Sequence, residues 1–203
     1  YILFRLIMKR GHRISVLILI VVLILSFTFI ILNDFTSATW DLSNITYDNV
    51  SYNVSSQDAY PNSLFFKSDG TKMFVLGNSS GKVYQYTVSS TFNLSSVLSN
   101  VTYDNISFNV STSPVQPTAI FFNSSGNKMY IAFRNNSATV YQYSLSSPWN
   151  LSSASYDNIN FNATNQTTLP DGIFFKNDGT KMYILSSNFP TTIFQYSLSS
   201  PWN

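Results

Sequence analysis

Three near-copies of one stretch predict an all-β fold, a partial β-propeller of about three four-stranded antiparallel blades behind one amino-terminal helix. The first observation is the repeat. LFFKSDGTKMFVLGNSSGKVYQYTV at residues 64–88 recurs at 120–145 and 173–198, and Lys72-Met73 is answered by Lys128-Met129 and Lys181-Met182. Steps of 56 and then 53 residues mark a repeat architecture. The second observation is a period of two. After each Tyr-Asp-Asn, at 47–49, 103–105 and 156–158, apolar residues alternate with polar ones: Val50, Tyr52, Val54; Ile106, Phe108, Val110; Ile159, Phe161, Ala163. That pattern reads as a strand with one buried face. The third is the lack of any helix-period stripe after Leu32.

Taken in order, residues 1–13 form a basic flank with Arg5, Lys9, Arg10 and Arg13. Residues 14–32 are 19 positions broken only by Ser15, Ser26 and Thr28. As a helix they span about 28 Å, the thickness of a bilayer core. The basic flank predicts a cytoplasmic amino terminus with the rest outside. A cleaved signal peptide, cut after Thr36 and Ala38, is the alternative, and it leaves the repeats outside as well. The expected location is therefore the cell surface, by a single-pass anchor, or secretion if the segment is cleaved. Met8 before Lys-Arg-Gly-His-Arg looks like a natural start. Residues 33–40 are a linker.

The repeats fill residues 41–203 as units 41–93, 94–150 and 151–203, the last expected to be cut short. Each unit opens on the alternating strand, which residues 41–54 supply first. Pro61, Pro117 and Pro170 then introduce SLFF, AIFF and GIFF, runs that look buried on both faces. Asp-Gly or Ser-Gly turns lead into KMFVL, KMYIA and KMYIL, and a polar tip leads into VYQYTV, VYQYSL and IFQYSL. Sheets apolar on both faces need a sheet against each, which radial stacking supplies better than a linear solenoid. Ser63, Ala119 and Gly172 put small residues where inner strands crowd toward an axis. Three blades fall short of the four to eight of a closed ring, which favours an open arc with exposed end faces.

Phe-Phe-x-x-Asp-Gly-Thr-Lys-Met-Tyr-x-Leu followed by Val-Tyr-Gln-Tyr resembles the YVTN-type and related surface or secreted β-propeller repeats. The resemblance covers residues 41–203, with Ser125-Gly126 in place of Asp-Gly and Phe194 in place of Tyr84 and Tyr141. It implies the blade and leaves the activity open, because such propellers serve adhesion, surface layers and enzymes alike.

Only 10% of the chain is charged, and its net +2 comes from the amino-terminal flank, so no nucleic-acid footprint is expected. Cysteine and glutamate are absent, and the single histidine, His12, lies in the flank. On that ground no enzyme, cofactor or metal site is expected. Asp48, Asp104 and Asp157 recur once per unit and read as local turn residues, as do Asp69 and Asp178. Asn62, Thr118 and Asp171 follow the strand-opening prolines and are the candidate axial ligand residues. Tyr84, Tyr86, Tyr141, Tyr143 and Tyr196 offer either a carbohydrate-stacking surface or packing between blades, and packing is the expectation. Asn-x-Ser/Thr triplets stand at Asn44, Asn49, Asn53, Asn78, Asn93, Asn100, Asn105, Asn109, Asn123, Asn135, Asn150, Asn162 and Asn165. Composition alone predicts roughly half as many, so glycosylation is expected. The function expected is a binding, adhesion or surface-layer module for a carbohydrate or protein ligand. The alternative is an extracellular propeller enzyme, lactonase- or lyase-like, whose catalytic blades lie elsewhere.

Overall fold

The computed structural model describes residues 45–95, 100–110, 116–134 and 137–202. The helix expected at 14–32, with its flank and His12, lies outside the described residues, as do Asn44 and Asn135. Among the described residues no helix is long and apolar enough to cross a membrane. Asp48–Asn203, which holds all but the first residues of the repeats, forms one compact unit.

Among the described residues, eleven strands make three antiparallel sheets. The first runs β1 (Pro61–Phe66), β2 (Lys72–Gly77), β3 (Lys82–Val88), β4 (Val101–Asn109), in that spatial order. The second repeats it with β5 (Gln116–Phe122), β6 (Lys128–Arg134), β7 (Ala138–Leu145) and β8 (Ala154–Asn162). The third has only β9 (Pro170–Phe175), β10 (Lys181–Ser186) and β11 (Thr192–Ser197). Each four-stranded sheet takes its outer strand from the repeat that follows in sequence. The sheets therefore run one strand out of phase with the repeats. Inner strands neighbour one another, β1 beside β5 and β5 beside β9, as blades do around an axis.

Residues 45–54, expected as the first outer strand, make no ladder. They still pack by their side chains: Tyr52 and Val54 lie against Met73, Val75 and Tyr86 on the face of blade 1.

The core forms between blades. Phe74, Phe122, Met129, Ile131 and Leu151 fill the space between blades 1 and 2, while Ala132, Val140, Phe175, Met182 and Ile184 fill that between 2 and 3. The inner runs were expected to be buried on both faces, and only blade 2, with a neighbour on each side, comes close. Leu64 and Phe174 are exposed on the first and third sheets, on faces that no other sheet covers among the described residues.

A wedge fixes the blade spacing. The glycines of the first turns, Gly70, Gly126 and Gly179, have φ near +70°. Each receives an aromatic from the end of its own repeat, Phe92, Trp149 or Trp202, whose backbone N–H donates to the glycine carbonyl. A Cβ on Gly126 would run into the Trp149 ring, so glycine is needed for close approach as well as for φ. Trp149 then meets Phe65, Phe74 and Phe122, and Trp202 meets Phe121, Tyr130 and Phe175.

Candidate functional site

The innermost strands share an irregularity. In blade 1, Pro61 faces Gly77 and Ser63 faces Leu76, which leaves Asn62 as an extra residue. In blade 2 the register skips Thr118, between Pro117 and Ala119. In blade 3 it skips Asp171, between Pro170 and Gly172. The three candidate axial residues are thus the bulged residues of three neighbouring inner strands. Bulges re-aim side chains and cluster beside sites.

Their contacts tie the blades together. Asn62 Nδ2 donates to the Pro117 carbonyl at 2.8 Å, from blade 1 to blade 2. Thr118 is buried and its hydroxyl donates to the Ala132 carbonyl at 3.3 Å. The Asp171 carboxylate accepts from Arg134 at 3.3 Å, from blade 2 to blade 3, and Arg134 Nε donates to Gln116. Arg134 and Asp171 are both partly solvent-exposed. A cation, a carboxylate and an amide at one end of the inner strands can hold a polar ligand and move a proton. The sequence reading missed Arg134, which stands where other copies carry Asn78 and Ser187. Its signal was its singularity, as the one arginine beyond the amino-terminal flank.

A second polar cluster joins middle, third and outer strands. The Asp104 carboxylate accepts from Lys72 Nζ at 2.8 Å, Gln85 Nε2 at 2.7 Å and Thr87 Oγ1 at 2.7 Å. Asp157 accepts from Lys128 and Gln142, each at 2.8 Å. Burial opposes both charges, and the hydrogen bonds from lysine, glutamine and hydroxyl outweigh it, so both pKa values lie below the ordinary one. This corrects the turn role expected of Asp104 and Asp157. The following asparagines, Asn105 and Asn158, have positive φ at the bulge that aims the aspartate inward. Asp69 and Asp178 do close their turns, accepting from the backbone N–H of Thr71 and Thr180.

The triplet asparagines divide by environment. Asn49, Asn53, Asn105, Asn109, Asn162 and Asn165 are exposed. Asn78, Asn93 and Asn150 are half-buried, and Asn150 caps the short 3-10 turn Leu151–Ser153. Asn100 and Asn123 are buried, and Asn123 bonds Asn127 and the Lys128 N–H, so neither has room for a sugar in the folded chain.

The tyrosines pack. Tyr86 is fully buried against Tyr52 and Tyr103, Tyr143 lies against Phe108 and Tyr156, and Tyr196 lies against Phe161. Tyr84 touches Tyr103, and Tyr141 touches Phe133 and Tyr156. Burial raises the Tyr86 and Tyr143 hydroxyls well above their ordinary pKa. Among the described residues no three His, Cys, Asp or Glu side chains cluster as metal ligands would.

No family model matches the chain, and no curated protein does. Solved structures do match in fold. The chain is similar to a Bacteroides fragilis protein whose description proposes a 6-phosphogluconolactonase, with TM-score 0.51 and 14% identity over 70% of this chain and 36% of that one. It is similar also to the periplasmic gluconolactonase of Pseudomonas aeruginosa, with TM-score 0.47 and 14% identity over 70% and 37%. A third is the Cps50 (Swd1) β-propeller domain of Myceliophteria thermophila, with TM-score 0.49 and 11% identity over 68% and 40%. The chain thus spans well under half the length of each. At these identities the likeness establishes a propeller-like fold. The expectation that the chain is no enzyme is corrected by the same likeness. A protein described as a 6-phosphogluconolactonase shares this fold, so the lack of Cys and Glu is no ground for excluding an enzyme.

Proposed function

We propose that the chain supplies three blades of a lactonase-type propeller, with a sugar lactone bound at the bulged end of the inner strands. The observation that carries this is the meeting there of Arg134 with the bulged Asp171, beside the bulged Thr118 and Asn62. Arg134 would hold an anionic or strongly polar group, for which a guanidinium is well shaped. Asp171 would take a proton from water as its oxygen attacks the lactone carbonyl; the ring C–O bond then breaks and the proton passes to the leaving alkoxide. Because the chain covers only 36% of the Bacteroides protein, further blades would complete the pocket walls. The likeness in fold supports this reading over adhesion, which no observation favours.

Binding of 6-phosphogluconate and of gluconate to the full chain, measured by calorimetry, is the test. Arg134→Ala should weaken binding of the phosphorylated acid about tenfold or more. Asp171→Asn should spare binding but abolish hydrolysis of the lactone above the uncatalysed rate. Equal affinity of Arg134→Ala and wild type, or no binding by either, would discard the reading.

A further inference from the structure

We propose that the chain binds a neutral saccharide in a second site, a cleft between blade 1 and the end of the second repeat, at the end of the strands opposite the bulges. The register of β2 separates the two ends: Gly77 pairs with Pro61 at the bulged end, and Lys72 pairs with Thr87 at the other. There a cavity of about 590 Å³ has Lys67, Lys72 and Asp104 on one wall and Trp149 and Asn150 on the other. That is the size of an ordinary small-ligand pocket. Its walls belong to neighbouring units in the middle of the chain, so both are complete.

The polar groups around this cavity carry more donors than the protein uses. An ammonium has three N–H donors. Lys72 gives one to Thr87 Oγ1 at 2.7 Å and one to Asp104 at 2.8 Å, and among the described residues the third has no acceptor. Asn150 turns its amide oxygen to the N–H and hydroxyl of Ser152, at 3.1 and 2.7 Å, while its Nδ2 donates to nothing among the described residues. Lys67 meets only Asp69, at 2.6 Å, with 28% and 48% of the two side chains exposed. A pair so open to water is weak, and a ligand oxygen can take the place of Asp69. Acceptor capacity remains too. Asp104 Oδ1 accepts only from Thr87 Oγ1, which leaves it a lone pair for a hydroxyl.

Blade 2 shows that the turn does not need this lysine. At the place of Lys67 it has Asn123, whose Nδ2 donates to Asn127 Oδ1 at 2.7 Å and whose Oδ1 accepts from the Lys128 N–H at 3.1 Å. Those side chains are consumed in closing the turn. In blade 1, Asp69 closes it with the N–H and hydroxyl of Thr71, at 3.0 and 2.6 Å, and Lys67 is left to line the cavity.

Charge and shape together choose the ligand class. Lys67 and Lys72 are balanced by Asp69 and Asp104, so the cleft has no excess charge to hold a dense anion. Trp149 and Ile106 add an apolar surface beside the donors. The indole is held in place by Phe65, Phe74 and Phe122, and its backbone N–H donates to the Gly126 carbonyl at 3.0 Å. A wall already fixed loses little freedom when a ligand arrives. Hydroxyls that both donate and accept, on a ring with an apolar C–H face, match such a mixed surface. The site does not rest on the lactonase reading.

Titration calorimetry of the full chain in detergent micelles tests this, with glucose, galactose, mannose, N-acetylglucosamine, cellobiose and lactose as probes. At least one should bind. Lys67→Met should weaken that sugar about tenfold, the loss of a hydrogen bond from a charged donor, with circular dichroism unchanged. Arg134→Ala should leave its affinity as it is, because Arg134 stands at the bulged end. A sugar released by Arg134→Ala and kept by Lys67→Met sits at that other end and overturns the second site. So does equal affinity of wild type and Lys67→Met, or the binding of none of the six. Inorganic phosphate held more tightly than any sugar, and lost in Lys67→Met, would make the cleft an anion site and overturn the saccharide assignment.

Discussion

Blades 2 and 3 are written with nearly the same residues and end in different states. KMYIA and KMYIL, VYQY and IFQY, Trp149 and Trp202 all correspond. Yet Gln142 is 4% exposed in blade 2, while Gln195 is open to solvent. The difference is one strand. β8 brings Asp157 to Lys128 and Gln142 and covers the β7 edge, and among the described residues no strand does so for β11. What buries a polar residue here is thus its neighbour across the ladder rather than its own surroundings in sequence. Blade 1 makes the same point on its far face, where Tyr52 and Val54 cover β2 without pairing to it.

The comparison can be broken at its largest contact first. Trp149→Ala should cost about 3 kcal/mol in urea unfolding followed by circular dichroism, since the ring fills the gap between two blades. Phe92→Ala, the matching change in blade 1, where the ring touches Phe66 and is 55% exposed, should cost about 1 kcal/mol. Equal costs would mean that the wedge acts within its own turn and not between blades.

Asp157→Ala should come next, at about 2 kcal/mol, because it strands the lysine and glutamine donors. Asp48→Ala, at an exposed residue, should lie within about 0.5 kcal/mol of wild type. Acid sharpens the same contrast. Asp104 and Asp157 have pKa values lowered from 3.8, so each contributes stability above that pH and loses it as pH falls through the folded value. Unfolding midpoints should drop steeply below pH 3.8, and the double variant Asp104→Asn, Asp157→Asn should flatten the drop. An unchanged acid profile would assign the loss to other carboxylates. The smallest effect belongs to Gly172→Ala. A Cβ there would meet Leu185 at an ordinary 3.4 Å, and the blade 2 counterpart is already Ala119, so the shift should stay within about 0.5 kcal/mol.

Much of the blade was legible in the chain. The alternation after Tyr-Asp-Asn is β4 and β8, and the proline-led runs are β1, β5 and β9, because period and turn chemistry are local properties. The bulged Asn62, Thr118 and Asp171 were marked by position alone, and their backbone irregularity shows only in the strand register. Arg134 escaped because its role depends on Asp171, 37 residues away. Asp104 and Asp157 were misread because a Tyr-Asp-Asn triplet looks like a turn until Lys72 or Lys128 faces it across two strands.

By itself the sequence determined the repeat, the strands, the turn glycines and the aromatic at each unit's end, since these follow from side-chain period and backbone sterics over a few residues. Only the tertiary structure decided which repeat lends each sheet its outer strand, and so which aspartates meet their donors and which faces lie bare. Hydrogen bonds across a ladder and stacking between blades join residues tens of positions apart, and no local pattern encodes which of several similar strands will be the neighbour.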